Sequence, residues 1–406
     1  MKLKNYNNYW IEVNLKDYIV EIESGKRPKG GAISEGVPSL GGEHIDSNGG
    51  FNIKCEKLKY VPREFYEKMK NGIIKLGDVL IVKDGATTGK VAYVNDEFPL
   101  KEACINEHVF LLRTKTELNS RYLSYYLRSS LGQNKIMNDF RGATVGGVSK
   151  KFIDFKMMLP TLEIQIKIVE VLEKVENTIE KRKKAIKLLD ELVKSKFIEM
   201  FGDPFLNPKG WQIKELKEVI LLANNGLARR GNDLDGNIVL RLVELQDGYL
   251  DYTSVNRIKL TESEEKRYWL KNGDFLFARV NGNPYNVGRC AYYKDIGEKV
   301  FHNDHIIRVR FDNSIINNCF VSTMLNSPYG KLQMKDKLKT SAGQYTVNQT
   351  GISEIKVVVP PIQIQNQFED FVKEVGKLKF EMENSLKELE NNFNSLMQRA
   401  FNGELF

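Results

Sequence analysis

Cysteine is scarce here and never paired along the chain. The four residues, Cys55, Cys104, Cys290 and Cys319, stand far apart with no C-x-x-C spacing. Structural zinc needs ligands in short pairs, so a zinc-organised fold is excluded and reduced, buried thiols are expected. Histidine is as sparse, at four residues, which argues against a histidine-built metal centre. Runs of apolar residues stay well short of the roughly 18 needed to span a bilayer. The opening Met1-Lys2-Leu3-Lys4-Asn5-Tyr6 lacks the apolar stretch of a secretory signal, so a cytoplasmic location is expected.

Catalytic motifs are missing or incomplete. Gly85-Ala86-Thr87-Thr88-Gly89-Lys90 resembles a phosphate loop but is one residue short between its glycines, and Val91 follows the lysine where Ser or Thr is required. It reads as a turn. Asn283-Pro284-Tyr285 lacks the second proline of the adenine-methyltransferase tetrapeptide, and no glycine-rich strand-to-helix turn could hold a nucleotide-like cofactor. His108 and His305 each follow an asparagine by two positions, without a convincing nucleophile beside them, and read as structural. Nothing in the sequence speaks for catalysis.

What the chain does contain is a repeat. Leu159-Pro160-Thr161-Leu162-Glu163-Ile164-Gln165 returns about 200 residues later as Val359-Pro360-Pro361-Ile362-Gln363-Ile364-Gln365. A long amphipathic segment follows each copy. In the first, apolar residues recur at Ile168, Leu172, Val175, Ile179, Ile186, Leu189 and Val193, interrupted at Arg182. The second gives Phe368, Val372, Val375, Met382, Leu386, Leu389, Phe393 and Leu396, interrupted at Lys379. Alternating steps of three and four are a coiled-coil seam. Proline precedes each helix, and Phe201-Gly202 and Phe401-Asn402-Gly403 close them with residues that accept the left-handed cap conformation. Each helix would be roughly 57 Å long. A narrow apolar stripe of that length needs a partner, and antiparallel pairing within the chain is expected.

The sequence divides into globular regions 1–160 and 203–360 and helical regions 161–202 and 361–406. Both globular regions read as mixed α/β, opening at Trp10 and Trp211. Shared landmarks appear in the same order: Gly77-Asp78 and Gly273-Asp274, Gly89-Lys90 and Gly288-Arg289, Asn106-Glu107-His108 and Asn303-Asp304-His305. Between them the sequences diverge, as expected for one frame carrying two binding surfaces. The net charge of +8 and the pI near 9.0 favour a polyanionic partner. Glycine-rich loops carry the basic residues. In the first region these are Lys26, Arg27, Lys29, Lys83, Lys90, Arg141 and Lys150. In the second they are Arg229, Arg230, Arg279, Arg289, Lys337 and Lys339, with Asn281 and Gln344 as polar readers. Arginine and lysine position phosphates, and Arg, Asn and Gln read purine edges. Double-stranded DNA is the expected ligand.

These features together resemble the specificity (S) subunit of type I restriction-modification systems. The resemblance rests on the Gly-Asp strands, the Pro-to-Gln helix starts, the run Lys181-Arg182-Lys183-Lys184-Ala185-Ile186-Lys187-Leu188-Leu189-Asp190-Glu191-Leu192, and the endings Met200-Phe201-Gly202-Asp203-Pro204 and Leu396-Met397-Gln398-Arg399-Ala400-Phe401-Asn402-Gly403-Glu404-Leu405. It covers nearly the whole chain; Thr161, where the second copy has Pro361, is a minor departure. It implies two target recognition domains reading halves of a split site. It also implies paired spacer helices that dock two methyltransferase (M) subunits, with restriction (R) subunits able to join. Such a subunit is not catalytic, and S-adenosylmethionine belongs to the M subunits. A stand-alone DNA-binding protein is the alternative reading.

If the helices set the distance between half-sites, deleting one heptad from each removes about 10 Å of helix, or roughly three base pairs. Sequencing the methylated motif checks this: the spacer should change in length, and an unchanged spacer refutes the ruler.

Overall fold

A computed structural model describes residues 9–53, 58–142, 146–341 and 343–406; Cys55 and the opening hexapeptide lie outside these. The chain forms two compact units, Met1–Lys183 with Asn384–Phe406, and Lys184–Glu383. The division falls inside both long helices, Leu162–Phe201 and Ile362–Phe401, each of 40 residues. Each unit therefore holds one globular region and a section of both helices.

The first unit is built on a four-stranded antiparallel sheet in the order Ile19–Ser24, Val109–Thr114, Val79–Val82, Val91–Tyr93. Strand Val79–Val82 is apolar at every position because both its faces are buried. Val79 and Ile81 enter one core, Leu80 and Val82 another, as the two-residue strand period requires. Beside it lies a three-stranded sheet, Lys59–Val61, Val37–Leu40 and Cys104–Ile105, in which Leu40 pairs in parallel with Ile105. Trp10–Asn14 pairs antiparallel with Lys156–Pro160, bringing the start of the domain to the start of the first long helix.

The second unit repeats the plan. Its four-stranded sheet runs Ile220–Asn225, Ile306–Phe311, Phe275–Ala278, Cys290–Tyr292, with Arg257–Ile258, Asn237–Leu240 and Val300–His302 as the smaller sheet. Phe275 and Phe277 again face one core, Leu276 and Ala278 the other. It adds a small sheet of Val280–Asn281, Gln344–Thr346 and Lys339–Ser341. At the matching place the first unit has only single bridges, Asp84 to Gly147 and Arg141 to Gly147, among its described residues.

The Gly-Asp landmarks prove to be sheet fasteners. Gly77 and Gly273 have φ of +88° and +87°, a conformation that glycine adopts without strain. The following Asp78 accepts the Lys75 N–H at 2.7 Å and the Arg113 Nε at 2.8 Å. Asp274 likewise accepts Lys271 N–H at 2.9 Å and Arg310 Nε at 2.7 Å. Each buried carboxylate is held by a guanidinium from the neighbouring strand, which is what burying its charge requires.

Within each unit the helix sections run antiparallel. In the first, Ile168, Leu172 and Ile179 share a core with Phe393, Met397, Ala400 and Phe401, and Lys183 pairs with Glu390 at 3.0 Å. In the second, Phe197 and Phe201 pack on Phe368 while Lys379 pairs with Asp190 at 2.6 Å. Leu189 and Val375 are buried. Val175, Val193, Val372, Leu386 and Leu389 pack partly buried against the cores, and Ile186 and Met382 are half-buried. Lys379, read from sequence as a break in the seam, is the lysine of the cross-helix ion pair. The domain helices Ser120–Arg128 and Asn318–Asn326 cover the helix ends: Tyr122 and Tyr126 contact Phe401, and Phe320 contacts Phe201.

The repeated glutamine is a fully buried clamp. Gln165 Oε1 accepts the Asn119 N–H at 2.8 Å, and its Nε2 donates to the carbonyls of Glu117 and Pro160, both at 3.0 Å. Gln365 does the same with Asn317 N–H at 2.8 Å, Ile315 O at 3.1 Å and Pro360 O at 2.7 Å. One amide thus satisfies backbone groups from the strand-to-helix loop and from the helix entry. No helix among the described residues is long and apolar enough to cross a membrane.

Replacing Gln365 with Leu leaves three buried backbone groups unpaired, so denaturant unfolding should show a loss of about 3 kcal/mol or more. A second expectation concerns His302, fully buried at the end of its strand. Burial, then the nearby Arg308 charge, depress its pKa from 6.5 to about 3. Between those values the unfolded chain binds a proton that the folded chain refuses, so stability falls as pH drops through that window, by up to about 1.4 kcal/mol per pH unit. Urea unfolding of His302→Asn should show a shallower pH slope over that range than the parent.

Candidate nucleic-acid interface

At one end of each four-stranded sheet, the same three-residue motif sets the local geometry. Asn106 Oδ1 accepts the His108 N–H at 2.9 Å, and Asn303 Oδ1 accepts the His305 N–H at 3.2 Å. Each is an Asx turn, and the acidic residue between, Glu107 or Asp304, meets an arginine from the glycine loop. Gly25 makes that approach possible. A Cβ there would lie 1.9 Å from the Ile105 carbonyl oxygen, and at Gly226 one would lie 2.2 Å from that of His302. Only glycine lets the loop backbone press against the turn.

In the first unit, Arg27 Nε lies 2.8 Å from Glu107 Oε1. His108 Nδ1 lies 2.5 Å from Asp84, whose other oxygen is 3.7 Å from Lys83 Nζ. The backbone binds these loops together: Lys83 N–H donates to His108 O at 2.9 Å, and Val148 N–H to Lys83 O at 2.7 Å. Arg141 bridges to Gly147 in the same group, with its side chain 82% exposed. Lys150 Nζ donates to the Ile22 carbonyl at 2.8 Å. Lys26 and Lys29 are exposed on the glycine loop. Lys90 is half-buried, one strand further on, where its carbonyl accepts the Val82 N–H.

The second unit engages more of its cations internally. Arg229 donates to Lys259 O at 2.6 Å and pairs with Glu264, whose pKa that bond lowers to about 2. Arg230 is held by Ala228 O at 2.9 Å, Asp304 at 2.7 Å and His305 Nε2 at 3.2 Å. Arg279 donates to Asp304 O at 3.1 Å. Arg289 bonds Gln246 and Asn286, both at 3.0 Å, and Lys337 pairs with Glu354 at 2.8 Å. Asn281 Oδ1 accepts the Asn283 N–H at 2.9 Å and so shapes its own turn. Lys339 and Gln344 remain exposed, on paired strands joined through the Ser341–Gln344 register.

The sequence alone does not distinguish these cations from one another. The structure brings Arg27, Lys83, Arg141 and Lys150 together, and Arg230 with Arg279, while Arg229, Arg289 and Lys337 are occupied within the fold. It also gives a role to Glu107 and Asp304, which the sequence marks only as landmarks, and adds Asp84. An acidic residue inside both Asn-x-His motifs was the available signal. Among the described residues, no group of three or more His, Cys, Asp or Glu is placed to hold a metal ion, and Cys104, Cys290 and Cys319 are buried free thiols.

The profile described as "Type I restriction modification DNA specificity domain" matches twice, over residues 7–189 and 208–391. The StySPI specificity subunit of Salmonella potsdam is 27% identical over 370 residues, covering 86% of this chain and 78% of that protein. The EcoKI specificity subunit of Escherichia coli K12 is 24% identical, with the same coverage of 86% and 78%. The type I S subunit from M. genitalium shares the fold with a TM-score of 0.56 at 15% identity, covering 99% of this chain and 98% of that one. A chain from a structural study of assembly and conformational transition of the type I R-M system gives 0.62 at 16% identity, covering 99% and 100%. The chain belongs to the family of type I restriction-modification DNA specificity subunits.

Proposed function

We propose that this specificity subunit reads a split DNA sequence, one half with each globular domain, and that its long helices dock two M subunits of an adenine methyltransferase. The chain is the recognition component of such a complex and not its catalyst. In this reading the M subunits hold S-adenosylmethionine, R subunits can join to cut unmodified DNA, and the complex works in the cytoplasm. Lys26, Lys29, Arg141 and Lys339 are the exposed cations best placed to meet phosphates, with Gln344 as a base reader.

The observation that carries the proposal is a duplicated frame with unequal loops. The glutamine clamp, the Gly-Asp fastener and the Asx turn recur in both units. The cations around the turn are held differently in each. Such an arrangement suits two readers of different DNA segments.

Co-expression with the M subunits, together with methylome sequencing of a host with and without the gene, tests this. The expected result is a stable complex and a split, adenine-methylated motif that appears only with the gene. A chain that binds DNA but retains no M subunit would be the stand-alone binding protein instead.

A further inference from the structure

Arg27 is held in a way no other candidate arginine is. Its Nε lies in ion-pair contact with Glu107 Oε1 at 2.8 Å, while among the described residues its two terminal nitrogens meet no partner. The side chain is 56% exposed, and the loop around it is open. Gly30 and Gly31 have φ of +92° and +88°, and a Cβ on either would touch nothing within 4 Å.

We propose that Arg27, held by Glu107, reads a guanine in the half-site bound by the first recognition domain. This rests on the reading of the chain as a DNA specificity subunit. A guanidinium anchored by an ion pair on its Nε side leaves its terminal nitrogens free as a planar fork, matched to the O6 and N7 acceptors of guanine in the major groove. The neighbouring charges favour a base edge over a phosphate. Glu107 offsets the charge of Arg27, whereas Asp84 beside it is already engaged by His108 and faces Lys83, so at Arg27 itself a phosphate would meet the Glu107 carboxylate. A guanine edge brings no net charge. Lys26 and Lys29, exposed on the same loop, are freer to take the backbone. Glu107 is a positioning residue: the Asx turn of Asn106 aims it, and the close approach at Gly25 sets Arg27 within its reach. In the second domain the corresponding pair is closed. Both terminal nitrogens of Arg230 are taken, by Ala228 O, Asp304 and His305, so the two halves do not present the same fork.

The test is selection from a pool of randomised DNA duplexes by the full chain with its M subunits, followed by sequencing of the bound DNA. The parent should enrich a split motif; if it enriches none, the DNA-specificity reading itself fails, whatever the role of Arg27. Arg27→Lys keeps the charge and removes the fork. It should lower the preference for one guanine in one half-site by about 10- to 100-fold and leave the other half unchanged. Glu107→Ala should relax the same position, and Glu107→Gln, which keeps an acceptor for Nε, should restore much of the preference. Uniform weakening of all sequences by Arg27→Lys would make Arg27 a phosphate contact and overturn the proposal. So would relaxation at a position that is not guanine, or an unchanged motif. An intact preference in Glu107→Ala would overturn the positioning role. Thermal melting of each variant separates these results from misfolding.

Discussion

The amide of Gln165 sits where no water reaches it, with one acceptor and two donors, and all three meet backbone groups. Unpaired, any of those groups would carry a desolvation penalty of about 1–3 kcal/mol. The amide is therefore tied both to the loop ahead of Ser120–Arg128 and to the turn at Pro160. Much else follows from that tie. The domain helix must lie along the long helix, which puts Tyr122 and Tyr126 over Phe401 and lets Arg121 reach Glu173 and Glu176. Gln365 imposes the same arrangement on the second domain. A carboxylate could not substitute, since it lacks the two donors.

The long helices and their ends were legible in the sequence because their signals are local: a seam period, prolines before, glycine after. The strands that follow Gly77-Asp78 and Gly273-Asp274 were legible for the same reason, since each landmark opens a short apolar run. The repeat showed that Gln165 and Gln365 recur but not why, since their partners lie some 50 residues away in the loops at Glu117–Asn119 and Ile315–Asn317. The parallel pairing of Leu40 with Ile105 was equally hidden. Contacts of that span leave no periodic trace.

The charges were the least legible. A list of basic residues does not say which are already paired. Arg289 and Lys90 occupy matching landmarks, yet Arg289 is tied into a hydrogen-bond network with Gln246 and Asn286. Arg27 and Glu107 lie 80 positions apart in the numbering, and only the turn at Asn106 and the contact at Gly25 bring them together. A tally of the candidate basic residues thus overstates how many side chains the two surfaces leave free for a polyanion. Pairing lowers indiscriminate attraction to phosphate while holding side chains in fixed directions, a balance that favours discrimination over raw affinity.

Both compact units draw on both long helices, since the division between them falls inside each helix. Unfolding of either unit strips a section of those helices of the core that covers it. A helix with a narrow apolar stripe is marginal without such cover. Each domain's stability is therefore written partly in helix sections whose continuation belongs to the other unit.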